Sequence, residues 1–302
     1  METLYRVKRA ILDPRTALRF AHDKCRDLLL WNQSFRALRE PKVPAPIPDT
    51  PQIHEEVLRQ LKANAYDLQR YRIDSSKFRR YLDRAWPTYR QARYYGGFKS
   101  KVLTEKSLEH YVAADLLCLT ATDVYIDIAS ANSPVAEIYS KLYDCVSYRQ
   151  DLKFPEGTQG YSIGGDAANM PLTNGFASKM GLHCSFEHFE GDSDTRFIRE
   201  AGRVLRTGGR LIILPLYLFT EYAIQTDPVF VRNEPVKFEP DAVLYCARGS
   251  RLRHGRCYSV PKFSERVRSN LGPLKLTIFL VENAQEIDPA CYLRLAAVFE
   301  KA

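Results

Sequence analysis

Short apolar runs rich in β-branched residues alternate with helical stretches from Ser107 onward, and this rhythm restricts the fold more than any other feature of the 302-residue chain. An amphipathic helix, "SLEHYVAADLLCL", leads into the strand "DVYIDIA"; a turn of small residues then opens a helix over Val135–Tyr143. Further strands are read in "DCVSYRQDL", near "GYSIGGDAA", in "KMGLHCSF" and in the fully apolar "GGRLIILPL". Between the last two lies the helix "DTRFIREAGRVL", with Phe197, Ile198, Ala201 and Leu205 on one face. "PLKLTIFLVEN" is another strand, and "DPACYLRLAAVFEKA" is read as a closing helix. Strands alternating with helices predict a parallel α/β sheet wrapped on both faces.

A different kind of sequence precedes this unit. Residues 1–40 are expected to be helical, with Leu18, Ala21, Cys25, Leu28 and Leu29 at helical spacing. "EPKVPAPIPDTP" (Glu40–Pro51) places five prolines in twelve residues and reads as an extended connector. A second helix follows, its stripe formed by Ile53, Val57, Leu58, Leu61, Ala65 and Leu68, with Thr50 and Pro51 at its start. Arg70–Lys101 then holds ten basic and eight aromatic residues against Asp74 and Asp83. Interleaved arginine and aromatic side chains suit phosphates, nucleic acid or an anionic acceptor; the alternative is a set of helices with solvated arginines and packed tyrosines.

The charge divides the same way. Residues 1–105 carry 22 Lys and Arg against 12 Asp and Glu, whereas residues 106–302 carry 22 against 24. A basic helical region over 1–105 and an α/β domain over 106–302 are expected. The seven cysteines (25, 118, 145, 184, 246, 257 and 291) include no C-x-x-C pair, which points to reduced thiols, with neither a disulfide framework nor a zinc site. The first residues hold no apolar stretch of the secretory kind, and the longest apolar run, Leu211–Phe219, is too short to span a bilayer. A soluble, cytoplasmic protein is the expectation.

The turn after the first strand of the α/β unit is the most informative stretch. "VYIDIASANSPVAEIYSKL", Val124 to Leu142, has the layout of a nucleotide-binding strand–loop–helix unit, yet Ala129, Ala131 and Ser133 stand where glycines usually crowd. Glycine is wanted there because backbone N–H groups must approach a ligand closely and because one or more positions need φ > 0. Each replacement is nearly the smallest available, and Asn132 is the type that tolerates left-handed φ. Ser133 is expected to be the N-cap, with Pro134 at the first helical position.

Taken together, residues 107–220 resemble the class I S-adenosylmethionine-dependent methyltransferases (type 11-like). The first motif of that family corresponds to Asp127-Ile-Ala129-Ser-Ala131-Asn-Ser133, the ribose-binding acid to Asp151 in "YRQDL", and the acid beside the adenine to Asp166 in "GGDAANMPL". "HCSFEHFEGDSDTRFIREAGRVLRTGGRLIILPL" follows the fourth strand, a glutamate–histidine pair, the helix ending "E-x-x-R-V-L-x-x-G-G" and the fifth strand. Two positions depart: the missing glycines, and Ala177 after Phe176 where the family has an aspartate. Residues 1–105 are not covered, and the last 80 fit only as final strands.

The resemblance implies a Rossmann-like sheet binding S-adenosylmethionine through Asp127, Ala129, Ser130, Ala131, Ser133, Asp151, Asp166, Ala167 and His183. For His183, inside an apolar strand, a satisfied core histidine is the competing reading. His183, Glu187, His188, Tyr217 and Tyr222 are candidates for the acceptor mouth, with His188 as base and Glu187 beside it. The pair could instead organise the loop. His110, Tyr94, Tyr95, Gly96, Gly97 and Lys99 are candidates for closing the site, Gly96-Gly97 being a hinge or a plain loop. The residue sets of metal-dependent O-methyltransferases and of DNA amine methyltransferases are not found, so no metal is expected. The implied activity is metal-independent O-methylation of a small-molecule or glycan-type acceptor. Two alternatives remain: a non-catalytic, methyltransferase-like binding protein, and an RNA-directed methyltransferase gripping nucleic acid with the basic N-terminal region. The segment ending "RGSRLRHGR" is a further basic cluster, read as a contact for an anionic acceptor or as a solvated loop.

Overall fold

The structure is a computed structural model and describes residues 14–95, 102–233 and 235–302. The described residues pack into two units: one holds those up to Asp49 together with those of Tyr222–Gly255, the other those of Thr50–Glu221 together with Arg256–Ala302. The boundary expected after residue 105 falls within helix Val102–Leu117.

In the first unit, helix α1 (Pro14–Ala37) precedes the two-residue strand β1 (Lys42–Val43). The proline-rich connector after it is extended, and the Ile47 N–H donates to Gln225 Oε1 at 2.8 Å. The rest of this unit comes from the long segment beyond Tyr222.

The second unit carries the main sheet. Helix α2 (Pro51–Ala63) starts as the sequence indicates, with the Thr50 hydroxyl accepting from Ile53 N and Pro51 in the first turn. It stops earlier than its apolar stripe suggests, because Ala65 turns to φ 53° and β2 (Asp67–Tyr71) begins. Leu68 is therefore a strand residue. Helix α3 (Ser75–Gln91) is capped by Asp74, whose Oδ1 accepts from the N–H groups of Ser76 and Lys77. Helix α4 (Val102–Leu117) is buried along most of Leu103–Ala114, so it is not the amphipathic helix read from its sequence.

After α4 come β3 (Val124–Ile128), α5 (Val135–Tyr143), β4 (Val146–Asp151) and a short hairpin of β5 (Gly157–Gln159) and β6 (Ser162–Gly164). Then follow β7 (Ala177–His183), α6 (Ser193–Val204) and β8 (Leu205–Leu214). The first unit receives β9 (Ala223–Thr226), α7 (Pro228–Asn233) and β10 (Val243–Cys246); there β10 lies parallel to β9 and to β1. The chain passes back through β11 (Gly255–Cys257) to α8 (Val260–Arg266), β12 (Leu274–Val281), α9 (Ala284–Ile287) and β13 (Leu295–Lys301).

The nine strands of the main sheet run in the order β2-β12-β13-β8-β7-β3-β4-β6-β5. β3 is central, parallel to β4 and β7, and β7 is parallel to β8. Only β13, antiparallel to both β8 and β12, and β5, antiparallel to β6, break the parallel pattern. One face is covered by a core in which Tyr89, Tyr111, Val112, Ile138 and Tyr139 of the helices meet Tyr125, Ile212 and Leu214 of the strands. Leu211 and Ile213 point the other way, as alternation requires, on strand β8 against which α6 also packs. This is the Rossmann-like α/β sheet expected from the sequence. The closing helix is not: Leu295–Lys301 is a strand, inserted between two others, with Ala297 opposite Ile213 and Phe299 opposite Leu276.

Candidate active site

The site begins where β3 ends. The chain leaves the sheet through Ala129 (φ 51°) and Ala131 (φ 46°), both in the left-handed region that favours glycine. Asn132, the residue type best suited to that conformation, does not take it. Side chains of β4 hold the alanines in place: the Gln150 amide oxygen accepts from Ala129 N at 3.1 Å, and Asp151 Oδ2 accepts from Ala131 N at 2.6 Å. The helix start also differs from expectation. Pro134 occupies the N-cap position, and the Ser133 hydroxyl accepts from Val135 N at 3.2 Å.

A cavity of about 420 Å³ opens against this loop. Its wall is formed by Asp127–Ser133, by His183 and Cys184 at the end of β7, by Lys106 of α4, and by Ala92, Arg93, Tyr94 and Tyr95 after α3. Tyr94 lies edge-on to Tyr95 at 4.7 Å and stacks on Tyr89 at 6.1 Å, so the cavity is aromatic on that side. Gly181 leaves room behind the wall: a Cβ there would come within 2.7 Å of the Tyr125 hydroxyl and 3.1 Å of His183 Nε2.

The wall suits a ligand that carries hydrogen-bonding groups. Asp127 Oδ2, Ser130 Oγ and His183 Nδ1 are buried there with no protein partner, and native chains seldom leave such atoms unmatched. Burial pushes the Asp127 carboxyl up to about 8, partly offset by the nearby Ser133 and Tyr125 hydroxyls. His183, 3.1 Å from the Tyr125 hydroxyl and 3.9 Å from Asp127 Oδ1, is pushed down to about 3, first by burial and then by Lys106. It therefore stands as a neutral imidazole. His110 sits behind it, edge-on at 4.9 Å and bonded through Nδ1 to the Tyr89 hydroxyl at 2.6 Å; burial holds it well below the ordinary histidine range.

Asp127, Ala129, Ser130, Ala131, Ser133 and His183 are thus brought to one cavity, together with Tyr94 and Tyr95. Asp151 stands directly behind the loop, with Oδ1 accepting from Lys153 N at 2.9 Å and Oδ2 from Ala131. Asp166 lies apart from the lining residues: Oδ1 accepts from Ala168 N, and Oδ2 meets Arg196 at 3.2 Å. Ala167 beside it is buried. Glu187 and His188 occupy the turn Phe186–His188 after β7, 3.7 Å apart, with the His188 side chain 48% exposed; neither lines the cavity. Tyr217 is half-buried, its hydroxyl 3.8 Å from Cys184 Sγ. Tyr222 is buried in the first unit, where its carbonyl accepts from Val243 N. Gly96, Gly97 and Lys99 lie outside the described residues. Within "RGSRLRHGR", Arg256 is fully buried and paired with Asp194 at 3.0 Å, so that part of the cluster is not a solvated loop.

Sequence reasoning missed a group of charged residues on α4. Lys106 Nζ lies 3.0 Å from Glu109 Oε1, 3.2 Å from Glu105 Oε1, 2.8 Å from Cys184 Sγ and 2.6 Å from the Tyr292 hydroxyl. Glu109 is fully buried, and Lys106 is nearly so. Three charged residues within five positions, on a helix whose remaining residues include only one other charge, Asp115, were the available signal, because buried charges must pair. Among the described residues no group of three or more His, Cys, Asp or Glu is arranged to hold a metal ion, and no helix is long and apolar enough to cross a membrane.

No protein-family model matches the chain, and no curated protein matches it. Solved structures match distantly. One is a 1,6-didemethyltoxoflavin-N1-methyltransferase of Burkholderia thailandensis with bound 1,6-didemethyltoxoflavin and S-adenosylhomocysteine: 14% identity, TM-score 0.40, covering 86% of this chain and 93% of that one. Another is a geranyl diphosphate C-methyltransferase from Streptomyces coelicolor in complex with Mg2+, geranyl diphosphate and S-adenosylhomocysteine: 12% identity, TM-score 0.43, covering 85% and 100%. Likenesses at such TM-scores do not fix a function, which must come from the site itself.

Proposed function

We propose that the chain is an S-adenosylmethionine-dependent methyltransferase acting on a small-molecule acceptor. One observation carries the reading: Ala129 and Ala131, at the first two glycine positions of the motif it resembles, both take φ > 0, and they do so on the wall of a cavity whose buried Asp127, Ser130 and His183 atoms lack protein partners. A relic loop relieved of its ligand has no reason to keep two strained alanines.

Asp127, Ser130, Ser133 and His183 would hold the cofactor, with Asp151 supporting the loop from behind. Asp166 and Ala167 are assigned to its adenine end. When bound, the cofactor supplies a methyl group on a sulfonium, open to in-line displacement. The chain's own task is then alignment and the removal of one proton. His183 is neutral and cannot compete as a cation with a sulfonium beside Asp127. Arg93, exposed at the cavity beside Tyr94 and Tyr95, favours an acceptor with an anionic group. We assign the acceptor a hydroxyl, of a small molecule or a glycan-type precursor.

Calorimetric titration of ligand-free protein with S-adenosylhomocysteine tests the reading. Binding in the micromolar range is expected. In Ala131→Val it should weaken by about five- to thirtyfold, since a β-branched residue at this φ adds roughly 1–2 kcal/mol of strain. A folded wild-type protein that binds neither S-adenosylhomocysteine nor S-adenosylmethionine overturns the proposal.

A further inference from the structure

Lys106 and Cys184 belong to the cavity wall, yet nothing in cofactor binding requires the charged group they lead into. Lys106 contacts the cavity on one side and the fully buried Glu109 carboxylate on the other, at 3.0 and 3.2 Å to its two oxygens. The Cys184 thiol lies 3.3 and 3.5 Å from the same carboxylate. Cys184 itself takes φ 50°, a left-handed conformation that holds it at the end of β7. An acceptor in this cavity therefore meets an ammonium whose proton partners continue inward to a carboxylate, whereas His188 stands off the wall.

We propose that Lys106 and Glu109 form the route by which the acceptor hydroxyl loses its proton, with Glu109 as its final holder. The proposal rests on the methyltransferase reading. As the carbon–oxygen bond forms and the carbon–sulfur bond breaks, the bond's electron pair stays on sulfur. Lys106 hands one of its ammonium protons to the Glu109 carboxylate, and the lone pair this frees on Nζ takes the acceptor's proton, which restores the ammonium. One positive charge disappears at sulfur and one negative charge at Glu109, so the buried site keeps its charge balance throughout.

The surroundings of Glu109 fit this role. Glu105 and Lys106 face it from its own helix, Tyr89 and Tyr95 from the segment before, Cys184 from the end of β7. Tyr217 approaches from beyond β8, Cys291 and Tyr292 from before β13. Lys106 is the one positive charge in this set. Burial pushes the Glu109 carboxyl up to about 8, and Lys106 offsets only part of that. Burial opposes the Lys106 charge, but its neighbours, the Glu109 carboxylate foremost, outweigh it and keep the amine protonated. Glu109 is therefore poised between its two forms near pH 8, and a cation placed in the cavity favours its ionised form.

The sign yields a test that needs no acceptor. S-adenosylmethionine carries a sulfonium; S-adenosylhomocysteine does not. Calorimetry of the full chain near pH 8, in phosphate and in Tris, counts protons released on binding each ligand. Wild-type protein should release more with S-adenosylmethionine. That excess should fall in Glu109→Gln to the share that Asp127 releases, and the Glu109 share should reach its maximum at higher pH in Lys106→Met, where the carboxyl has lost its cation. No excess in the wild type, or an excess unchanged in Glu109→Gln, overturns the proposal while leaving cofactor binding intact. Failure of both ligands to bind is a different outcome, which removes the methyltransferase reading and this inference with it.

Discussion

Ala129 and Ala131 hold φ values of 51° and 46°, each at a cost of roughly 1–2 kcal/mol for a residue with a Cβ. The bonds from their N–H groups offset this. A hydrogen bond to a neutral amide contributes about 1 kcal/mol and one to a carboxylate about 1.5–3 kcal/mol, and Gln150 and Asp151 provide one of each. Glycine would keep both bonds and lose the strain, against an unfolded-state entropy penalty of about 0.4–1 kcal/mol. Ala131→Gly should therefore stabilise the fold by up to about 1 kcal/mol, raising the thermal midpoint by up to about 3 °C. A clear fall in the midpoint would mean that Ala131 is not held at positive φ.

Strand β13 shows at the level of elements where pattern reading stops. "LRLAAVFEKA" contains good helix formers, and a run of buried apolar residues does not distinguish a helix from a fully paired strand. The decision lies outside the segment: β8 and β12 both present free edges, and Leu295–Phe299, buried at every position, fills the space between them. Phe299, fully buried, lies opposite Leu211 on one neighbour and Leu276 on the other. Phe299→Ala should cost about 3–5 kcal/mol, read as a lower denaturant midpoint; an unchanged midpoint would contradict its place in the sheet. From β3 to β8 every element except the short strand β5 was legible, because each carries its own period, its own turn and a short connection to the next, although Leu205, read on the helix face, begins β8. β2 and the Lys106–Glu109 pair were not, for a shared reason. Leu68 continued a helical stripe that only Ala65 at φ 53° interrupts, and the charges of α4 make sense only once Cys184 and Tyr292, 78 and 186 positions away, are brought to Lys106.

The uneven charge of the whole molecule invites a nucleic-acid reading, and the structure narrows what that charge can do. Lys77, Arg79, Arg80, Arg84, Arg90 and Arg93 are all exposed on α3 and the turn after it, yet only Arg93 lines the cavity. Part of the set is already engaged locally, Arg84 donating to the Leu142 carbonyl at 3.1 Å. Six such contacts to a single strand would give a slope of roughly −4 in log affinity against log salt, which is the mark of binding without sequence readout. RNA association is therefore expected to be weak, to vanish as salt rises to physiological strength, and to be indifferent to S-adenosylhomocysteine. Replacing both Arg79 and Arg80 with Glu should abolish it while leaving S-adenosylhomocysteine affinity unchanged, since neither residue reaches the cavity. Filter binding over a salt series, run beside calorimetry on the same variant, separates the cases: RNA affinity that survives high salt and rises with bound cofactor would make RNA the acceptor, and the small-molecule assignment would fall.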